Sequence, residues 1–306
     1  MSNVVVALYH FFDFPDFAAR RSEIRSFLES LEIGGTLLLS PEGINGTLAG
    51  SARAIDACVA FLRDRIIHSE FDAKLSRCDR PPFQRLKVRL KRETISLGEP
   101  VDPVARTGIR VDGARWNALL DDPEVVVVDA RNRYEIHLGR FPRALDPGTR
   151  TFKELPGFVR SELDPERHRK IATYCTGGIR CEKFSAWLLE KGFVEVYQLE
   201  GGILRYLETI PAESNRWEGE CYVFDERVAV GPGLVPSATA TICRACGHAL
   251  TPEDRADSRF VPERACPHCV ENAPRRPETD ARGESAEETC DDSIKPSGDD
   301  GVPRGS

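Results

Sequence analysis

A cysteine near the middle of this chain follows directly on an apolar, β-rich stretch and directly precedes a helical pattern. Residues 171–174 read Ile-Ala-Thr-Tyr, residues 175–181 read Cys-Thr-Gly-Gly-Ile-Arg-Cys, and the helical pattern begins at Glu182. A buried strand, a short glycine-bearing loop and an immediate helix are typical of α/β proteins. The sequence therefore predicts a thiol held in a loop at a helix N-terminus.

The surroundings of Cys175 favour its thiolate. Loop N–H groups, the positive end of the helix dipole and the guanidinium of Arg180 stabilise negative charge on sulfur and so lower the pKa of the thiol. We interpret Cys175 and Arg180 as a catalytic centre for thiolate or persulfide chemistry, with Gly177 and Gly178 at the substrate. Cys181 has two interpretations: it resolves a persulfide or sulfenate on Cys175, or it packs inward from the first helical turn.

Strand and helix patterns alternate on both sides of this loop. Continuously apolar strands between helices indicate a parallel sheet that helices cover on both faces. We therefore predict an α/β domain over residues 113–230. Its strands are predicted at 125–129, 171–174 and 195–199, and its helices at 113–120, near 151–162, at 182–191 and near 202–208.

The first 97 residues have a different order of patterns. Strand, helix, strand, strand, helix and strand follow one another, which is the order of a ferredoxin-like or acylphosphatase-like α+β domain with two helices on one face of an antiparallel sheet. Prolines and glycines then interrupt both patterns, so residues 98–112 are predicted to be a linker. Strands are predicted at 4–12, 35–39, 45–49, near 72–77 and near 85–91, and helices at 16–31 and 52–67.

Four cysteines near the C-terminal end form two Cys-x2-Cys pairs separated by nineteen residues. Each pair can hold one edge of a tetrahedral ion while the intervening loop returns the chain, as in a zinc ribbon. We predict a small zinc module over residues 231–270, with a structural role because four thiolates leave no open position; His248 and His268 are spare ligands. The alternative is four unrelated reduced cysteines. The predicted ligands are Cys243, Cys246, Cys266 and Cys269.

The distribution of charge separates the chain's body from its tail. Residues 271–306 contain ten acidic and five basic residues, which accounts for most of the formal charge of −7. This stretch has almost no apolar residues and is predicted to be a disordered acidic tail. No apolar run approaches the length of a membrane span, and the N-terminus lacks the basic region of a secretory signal. Six of the ten cysteines fall into two compact groups rather than a disulfide pattern. Together these observations predict a protein of the reducing cytoplasm without a membrane partner.

A basic strand stands out against this background. By the two-residue period of a strand, Arg85, Lys87, Arg89 and Lys91 lie on one face. Such a row suits the phosphate backbone of a nucleic acid, and its contribution to binding weakens with salt. We interpret it as an RNA contact. The competing interpretation is an ordinary solvated face of the sheet.

The α/β domain resembles the rhodanese family. Residues 129–144 are similar to the family's Asp-x-Arg, Glu and Gly-His-Ile-Pro-Gly-Ala pattern, with Arg140 in place of its histidine and Arg143 in place of its glycine. Phosphatases that share this fold need an arginine six residues after the cysteine to bind phosphate. Cys181 occupies that position here and Arg180 lies one residue early, so phosphatase activity is disfavoured. Glu135 and His137 have a two-residue spacing that could serve a metal, but this resemblance places them on a segment facing the surface, which favours a structural role.

Three strings together resemble one rhodanese subgroup, the oxygen-dependent tRNA uridine hydroxylases. They are residues 41–47, 174–183 and 198–203, and the resemblance covers about residues 4–270. It implies a tRNA substrate bound at its anticodon loop, hydroxylation of the wobble uridine (position 34) to 5-hydroxyuridine, molecular oxygen as co-substrate, and Cys175 as the family's cysteine. DNA is not an expected partner.

Other functions remain open from the sequence. Cys175 as a thiosulfate or persulfide sulfurtransferase is the leading alternative, and an RNA-binding or sulfide-carrying adaptor is a non-enzymatic one. There is no Gly-x-Gly-x-x-Gly fingerprint after a strand and no His-x-Asp start of an iron triad. The sequence therefore assigns neither flavin nor iron as a redox cofactor.

Overall fold

The computed structural model describes residues 3–71, 73–78 and 81–272. The first domain is built from five strands and two α-helices, in the order that the sequence predicts. Serine at position 51 begins the second helix because its side chain accepts a hydrogen bond of 3.2 Å from the amide of Ala54. The elements are β1 (Asn3–Phe11), α1 (Phe17–Ser30), β2 (Gly34–Ser40), β3 (Gly43–Gly50), α2 (Ala52–Phe61), β4 (Ala73–Cys78) and β5 (Leu86–Leu90).

These strands form one sheet in the order β4-β1-β3-β2-β5, antiparallel except for the parallel pair β2 and β5. Alternate residues of β1, among them Val6 and Leu8, are buried with Ile24 and Leu28 of α1 in one core. The two helices therefore cover one face, which confirms the predicted acylphosphatase-like α+β domain. Residues 52–67 do not form one regular helix, because α2 continues as a π-helical segment over Leu62–Ile67.

The second domain is an α/β unit around a four-stranded parallel sheet in the order β6-β10-β9-β7. Trp116 and Tyr206 are buried on one face, and Phe184 and Trp187 on the other. Helices thus cover both faces, which confirms the predicted rhodanese-like fold. The elements are β6 (Ile109–Val111), α3 (Gly113–Asp121), β7 (Val125–Asp129), α4 (Arg133–Ile136), β8 (Gly139–Arg140), α5 (Leu155–Glu162), β9 (Lys170–Tyr174), α6 (Ile179–Glu190), β10 (Glu195–Leu199) and α7 (Gly202–Thr209).

One strand of this sheet lies inside the linker predicted over residues 98–112. Ile109 pairs with Tyr197 and Val111 with Leu199, so β6 extends the parallel sheet beyond β10. The stretch is too short and too polar to show a strand pattern by itself, and the adjacent strand provides its backbone partners. The fold of the second domain therefore begins before Gly113.

Short strands and helices follow the second domain. Residues up to Glu271 belong to one compact unit, and the predicted acidic tail lies outside the described residues from position 273 onward. Within the described ranges, no helix has both the length and the apolarity that a membrane crossing requires. The remaining elements are β11 (Glu218–Gly219), β12 (Cys221–Tyr222), β13 (Ala229–Val230), β14 (Thr241–Ile242), β15 (Ala249–Leu250), α8 (Pro252–Ala256) and α9 (Pro267–Asn272).

Candidate active site

Cys175 lies between the end of β9 and the start of α6. The N–H group of Gly178 donates a hydrogen bond of 3.1 Å to the Cys175 sulfur. Gly178 has φ of +99°, and a Cβ at this position would lie 2.9 Å from the hydroxyl oxygen of Tyr9. Both conditions favour glycine, since the left-handed conformation and the close contact each disfavour a side chain.

The electrostatics of the loop keep Cys175 ionised. Burial by itself raises the pKa of this thiol, but a hydrogen bond with Cys181, the charge of Arg180 and the amides of Cys181 and Gly178 outweigh it and lower the pKa to about 6. Burial and the neighbouring Cys175 sulfur raise the pKa of Cys181 well above its usual value. At neutral pH the pair therefore consists of a thiolate on Cys175 and a thiol on Cys181.

This charge state gives a titration that can be measured. We expect the ultraviolet thiolate absorbance, taken as wild type minus Cys175→Ser, to appear with a midpoint near pH 6 as the pH rises, because the pKa of Cys175 is lowered to about 6. The same subtraction with Cys58→Ser should give a midpoint near pH 12, because burial raises the pKa of Cys58 to about 12. Equal midpoints for the two cysteines would contradict this assignment.

Arg180 contacts a carboxylate that the sequence did not assign to the site. Its Nη2 atom donates to Oε2 of Glu135 at 2.7 Å, and the hydroxyl of Thr176 donates to the same oxygen at 3.1 Å. The expectation that Glu135 faces the surface is wrong, because its side chain is fully buried. A buried carboxylate requires a charged or hydrogen-bonding partner, and Arg180 is that partner. Arg180 therefore acts on the Cys175 thiolate through space while it fixes the loop.

A second glycine-bearing turn, at the start of α7, is hydrogen-bonded to the cysteine loop. The amide of Ile203 donates to the carbonyl of Cys175 at 3.0 Å, and the amide of Leu204 donates to that of Thr176 at 3.0 Å. Gly202 has φ of +66°, and a Cβ there would lie 2.5 Å from the Cys175 carbonyl oxygen. The string at 198–203 thus begins α7 directly against the Cys175 loop.

The first domain covers this loop with the face of its sheet that carries no helices. The hydroxyl of Tyr9, on β1, lies 3.5 Å from Oε1 of Glu182 in the first turn of α6. The buried ammonium of Lys183 contacts Glu42 at 3.0 Å and Glu93 at 2.6 Å. The string at 41–47 and the string at 174–183 therefore meet at this interface between the two domains.

A cavity of about 230 Å³ opens beside Tyr9 at the same interface. Gly178 belongs to its wall, whereas the side chain of Cys175 lies behind the loop and is fully buried. Arg110 and Glu182 form a further wall, joined by two hydrogen bonds of 2.9 Å. A planar group in this cavity would contact the loop of the cysteine, but reaching the sulfur requires the Tyr9 ring or the loop to move.

The basic strand is exposed as its sequence pattern predicts. Val88 of β5 is buried in the first domain's core, so its neighbours in the strand point the other way. Arg85, Arg89 and Lys91 are exposed and Lys87 is partly exposed. The four cations therefore form a row at the edge of the sheet, where β5 is the last strand.

A groove joins this row to the neighbourhood of the cysteine loop. It has a volume of about 660 Å³ and is lined by Arg85, Lys87 and the ring of Phe224. Phe224 is 53% exposed, so its ring is accessible to a partner. The guanidinium of Arg180 lies 6.0 Å from the centre of this ring. The basic row and Phe224 thus line one groove, and the buried Arg180 side chain lies next to its aromatic wall.

The four C-terminal cysteines converge as their spacing predicts. Their sulfur atoms all lie within 4.8 Å of one another, and those of Cys246 and Cys266 are 3.6 Å apart. A tetrahedral zinc ion with Zn–S bonds of about 2.3 Å separates its sulfur ligands by roughly 3.8 Å. The amide of Cys266 also donates to the sulfur of Cys269 at 3.0 Å. The cluster therefore fits a zinc ion.

Comparison with known proteins agrees with this architecture. The family described as UPF0176 acylphosphatase like domain matches residues 3–94, and the rhodanese-like domain family matches residues 114–209. A protein of Picosynechococcus sp. named tRNA uridine(34) hydroxylase is 46% identical over 269 residues, which is 88% of this chain and 90% of that relative. This chain belongs to the tRNA uridine(34) hydroxylase family.

Solved structures similar to this member of the hydroxylase family align with single portions of it. A rhodanese-like domain from Anabaena sp. is 22% identical, with a TM-score of 0.30, over 36% of this chain and 78% of that domain. An acylphosphatase from Coxiella burnetii is 13% identical, with a TM-score of 0.23, over 29% of this chain and 92% of the acylphosphatase.

The structure brings together more of this candidate site than the sequence indicated. Cys175, Gly177, Gly178, Arg180 and Cys181 share one loop and helix turn, as predicted. Four further residues at this site were not assigned to it from the sequence. Two come from distant parts of the chain; the other two lie in strings that the resemblance uses, but one was placed on the surface and the other was given no role. These residues are Tyr9, Arg110, Glu135 and Glu182.

Proposed function

We propose that this chain hydroxylates uridine 34 of tRNA at C5, with molecular oxygen as the oxidant and Cys175 as the reactive group. The observation that carries the proposal is the lowered pKa of Cys175, about 6, in a chain 46% identical to a tRNA uridine(34) hydroxylase. A thiolate of this kind is available at neutral pH, as a reacting nucleophile must be.

The target base enters the cavity beside Tyr9. Position 34 lies in the anticodon loop, so the base can leave its neighbours without breaking a helix. The cavity of about 230 Å³ lies against Gly178, directly over the cysteine loop. Because Cys175 is fully buried, the base reaches the sulfur when the Tyr9 ring is displaced. Exclusion of water by the first domain then protects the reacting thiolate.

The two cysteines balance the electrons of the reaction. One atom of O2 replaces hydrogen at C5 as a hydroxyl group, and the other leaves as water. This change needs two electrons and two protons. The Cys175 thiolate and the Cys181 thiol provide both electrons and one proton when they form a disulfide, and solvent provides the second proton. The hydrogen bond between their side chains supports the pairing. A cellular thiol reductant then restores both thiols for the next turnover.

The anticodon arm lies along the basic row and the Phe224 groove, while base 34 leaves it for the separate cavity beside Tyr9. Arg85 and Lys87 line that groove and contact phosphates, while an exposed ring such as Phe224 offers a surface on which an unpaired base stacks. A tRNA substrate agrees with a cytoplasmic protein. DNA lacks an equivalent loop and is not a proposed partner.

Neutralising the row should weaken tRNA binding in a salt-dependent way. For Arg85→Gln/Arg89→Gln we expect lower affinity and a smaller slope of log affinity against log salt, by roughly 0.7–0.9 for each lost phosphate contact. Filter binding or anisotropy over a salt series measures both. Arg115→Gln removes an exposed arginine outside the row and should change neither. An unchanged slope in the double variant would place the tRNA elsewhere.

The cysteine module holds a zinc ion with a structural role. Cys243, Cys246, Cys266 and Cys269 provide four thiolates, and such a set leaves no position for substrate. The zinc stabilises a module that has few apolar residues of its own, since the buried cluster there contains only Leu250 besides cysteines.

Nucleoside analysis tests the function directly. A strain that lacks its own uridine hydroxylase receives either the wild-type chain or an empty vector, and its tRNA is digested and measured by mass spectrometry. The proposal requires a uridine that has gained one oxygen atom, mapped to position 34. A uridine that has gained sulfur would support the alternative of sulfur transfer from a Cys175 persulfide, and unchanged nucleosides would support a binding role alone.

A further inference from the structure

Two histidines and one aspartate from separate elements meet on the side of the molecule where the cysteine module contacts the second domain. Nε2 of His137 lies 2.7 Å from Oδ2 of Asp254, and Nε2 of His268 lies 2.9 Å from Oδ1 of the same carboxylate. His137 follows α4, Asp254 lies in α8 and His268 in α9. Neither the cysteine loop nor the four-cysteine cluster uses these side chains.

The spacing of these atoms suits a metal ion. One ligand atom from each residue lies within 4.8 Å of the others. A four-coordinate ion with bonds of about 2.0–2.2 Å separates nitrogen and oxygen ligands by roughly 3.3–3.5 Å. The two nitrogen–oxygen separations of 2.7 and 2.9 Å are slightly shorter, so a small outward shift of the side chains would admit an ion. Two imidazoles and a carboxylate are a donor set for first-row divalent metals such as Zn²⁺ or Fe²⁺.

Neighbouring groups hold Asp254 and His268 in place, as second partners do at metal sites. Asp254 is held by the amide of Thr251 at 2.9 Å and by its hydroxyl at 3.2 Å. The ring of His248 stacks on that of His268, with centres 3.9 Å apart. The Nε2 atom of His248 is buried and has no hydrogen-bond partner among the described residues. Leaving such an atom unpaired costs free energy unless a water molecule or a ligand of a bound ion contacts it.

One side of the cluster is open. His137, His248 and His268 line a cavity of about 490 Å³ whose wall also contains Arg133 and Arg140. An ion with three protein ligands keeps a further position for water or a small ligand, and here that position faces the cavity. The two arginines would favour an anion there.

We propose that His137, Asp254 and His268 bind a second divalent transition-metal ion, distinct from the ion of the four cysteines. This ion joins the second domain to the cysteine module, because His137 comes from the former and the other two ligands from the latter. A carboxylate bridging two imidazoles by hydrogen bonds alone is the competing interpretation.

Metal analysis of the full-length chain distinguishes a metal site from a carboxylate that only hydrogen-bonds to the two imidazoles. After purification without chelators, elemental mass spectrometry should give about two divalent transition-metal ions per chain for the wild type and about one for His137→Ala. Asp254→Asn, which preserves the shape of the side chain, should also lose one ion. His168→Ala removes a histidine outside the cluster and should retain two. X-ray absorption should show sulfur and nitrogen or oxygen ligands in the wild type, and sulfur alone in His137→Ala.

Two results would overturn the proposal. One is a single ion, bound by sulfur only, in both wild type and His137→Ala. The other is two ions in all variants, because the second ion would then lie elsewhere. Circular dichroism of His137→Ala and Asp254→Asn identifies a loss caused by unfolding, and the X-ray absorption of the wild type tests the site without any substitution.

Discussion

Replacing Cys175 by serine should lower tRNA hydroxylation by at least about a thousandfold, since loss of a reacting nucleophile commonly has effects of that size or larger. The serine hydroxyl is not ionised at neutral pH, whereas the pKa of Cys175 is about 6. The substitution replaces the sulfur atom by an oxygen atom and hardly changes the shape of the side chain, so the fold should persist. The measurement is the rate of 5-hydroxyuridine formation on unmodified tRNA by the purified chain.

Two further cysteine variants make this result specific. Cys78→Ser changes a partly exposed cysteine of β4 and should retain activity. Cys181→Ser decides between the interpretations of that residue: a large loss of turnover indicates that its thiol takes part in the redox step, and full activity indicates that it only packs. Full hydroxylation by Cys175→Ser would remove Cys175 from the chemistry altogether.

Glu135→Gln should destabilise the fold by about 3–5 kcal/mol, which is typical when one partner of a buried ion pair is removed. Arg180 and Glu135 are both buried, and the Arg180 charge would remain without its carboxylate. Burial alone raises the pKa of Glu135, but the charge of Arg180 outweighs it and holds the pKa below its usual value. Urea unfolding followed by circular dichroism measures the change in free energy.

An exposed ion pair provides the comparison. Asp121→Asn breaks the contact with Arg216, whose side chain is 47% exposed, beside an aspartate that is 59% exposed. Water screens such pairs, so this variant should unfold at nearly the wild-type urea concentration. Glu135→Leu/Arg180→Leu removes both buried charges and should be more stable than Glu135→Gln. Equal stability of Glu135→Gln and Asp121→Asn would contradict the role assigned to the buried pair.

Local patterns predicted most of the fold. The four consecutive valines of 125–128 and the apolar stretch 171–174 indicated buried parallel strands, and both belong to the sheet of the second domain. The cysteine loop was equally clear because its strand, glycines and helix are adjacent in the chain. The four-cysteine cluster followed from spacing alone. In each case the deciding interaction lies within a few residues or in a fixed ligand geometry.

The features that the sequence did not predict depend on contacts between distant residues. Ile109–Val111 becomes a strand only because β10 offers a free edge, and Tyr9 reaches Glu182 across 173 positions. Glu135 is a charged residue in a short helix, and the residues next to it in the sequence do not indicate that it is buried in an ion pair with Arg180. The grouping of His137, Asp254 and His268 was not predicted for the same reason, since these residues have no common spacing, although two of them had been considered separately as metal ligands.

A single-turnover reaction under ¹⁸O2 tests the central claim most directly. The purified, fully reduced chain is mixed with unmodified tRNA in the absence of external reductant, and both products are analysed by mass spectrometry. The account predicts one ¹⁸O atom in the hydroxyl group of uridine 34 and a disulfide between Cys175 and Cys181 in equal amount. Unlabelled hydroxyl oxygen, or labelled product with both thiols still reduced, would contradict it.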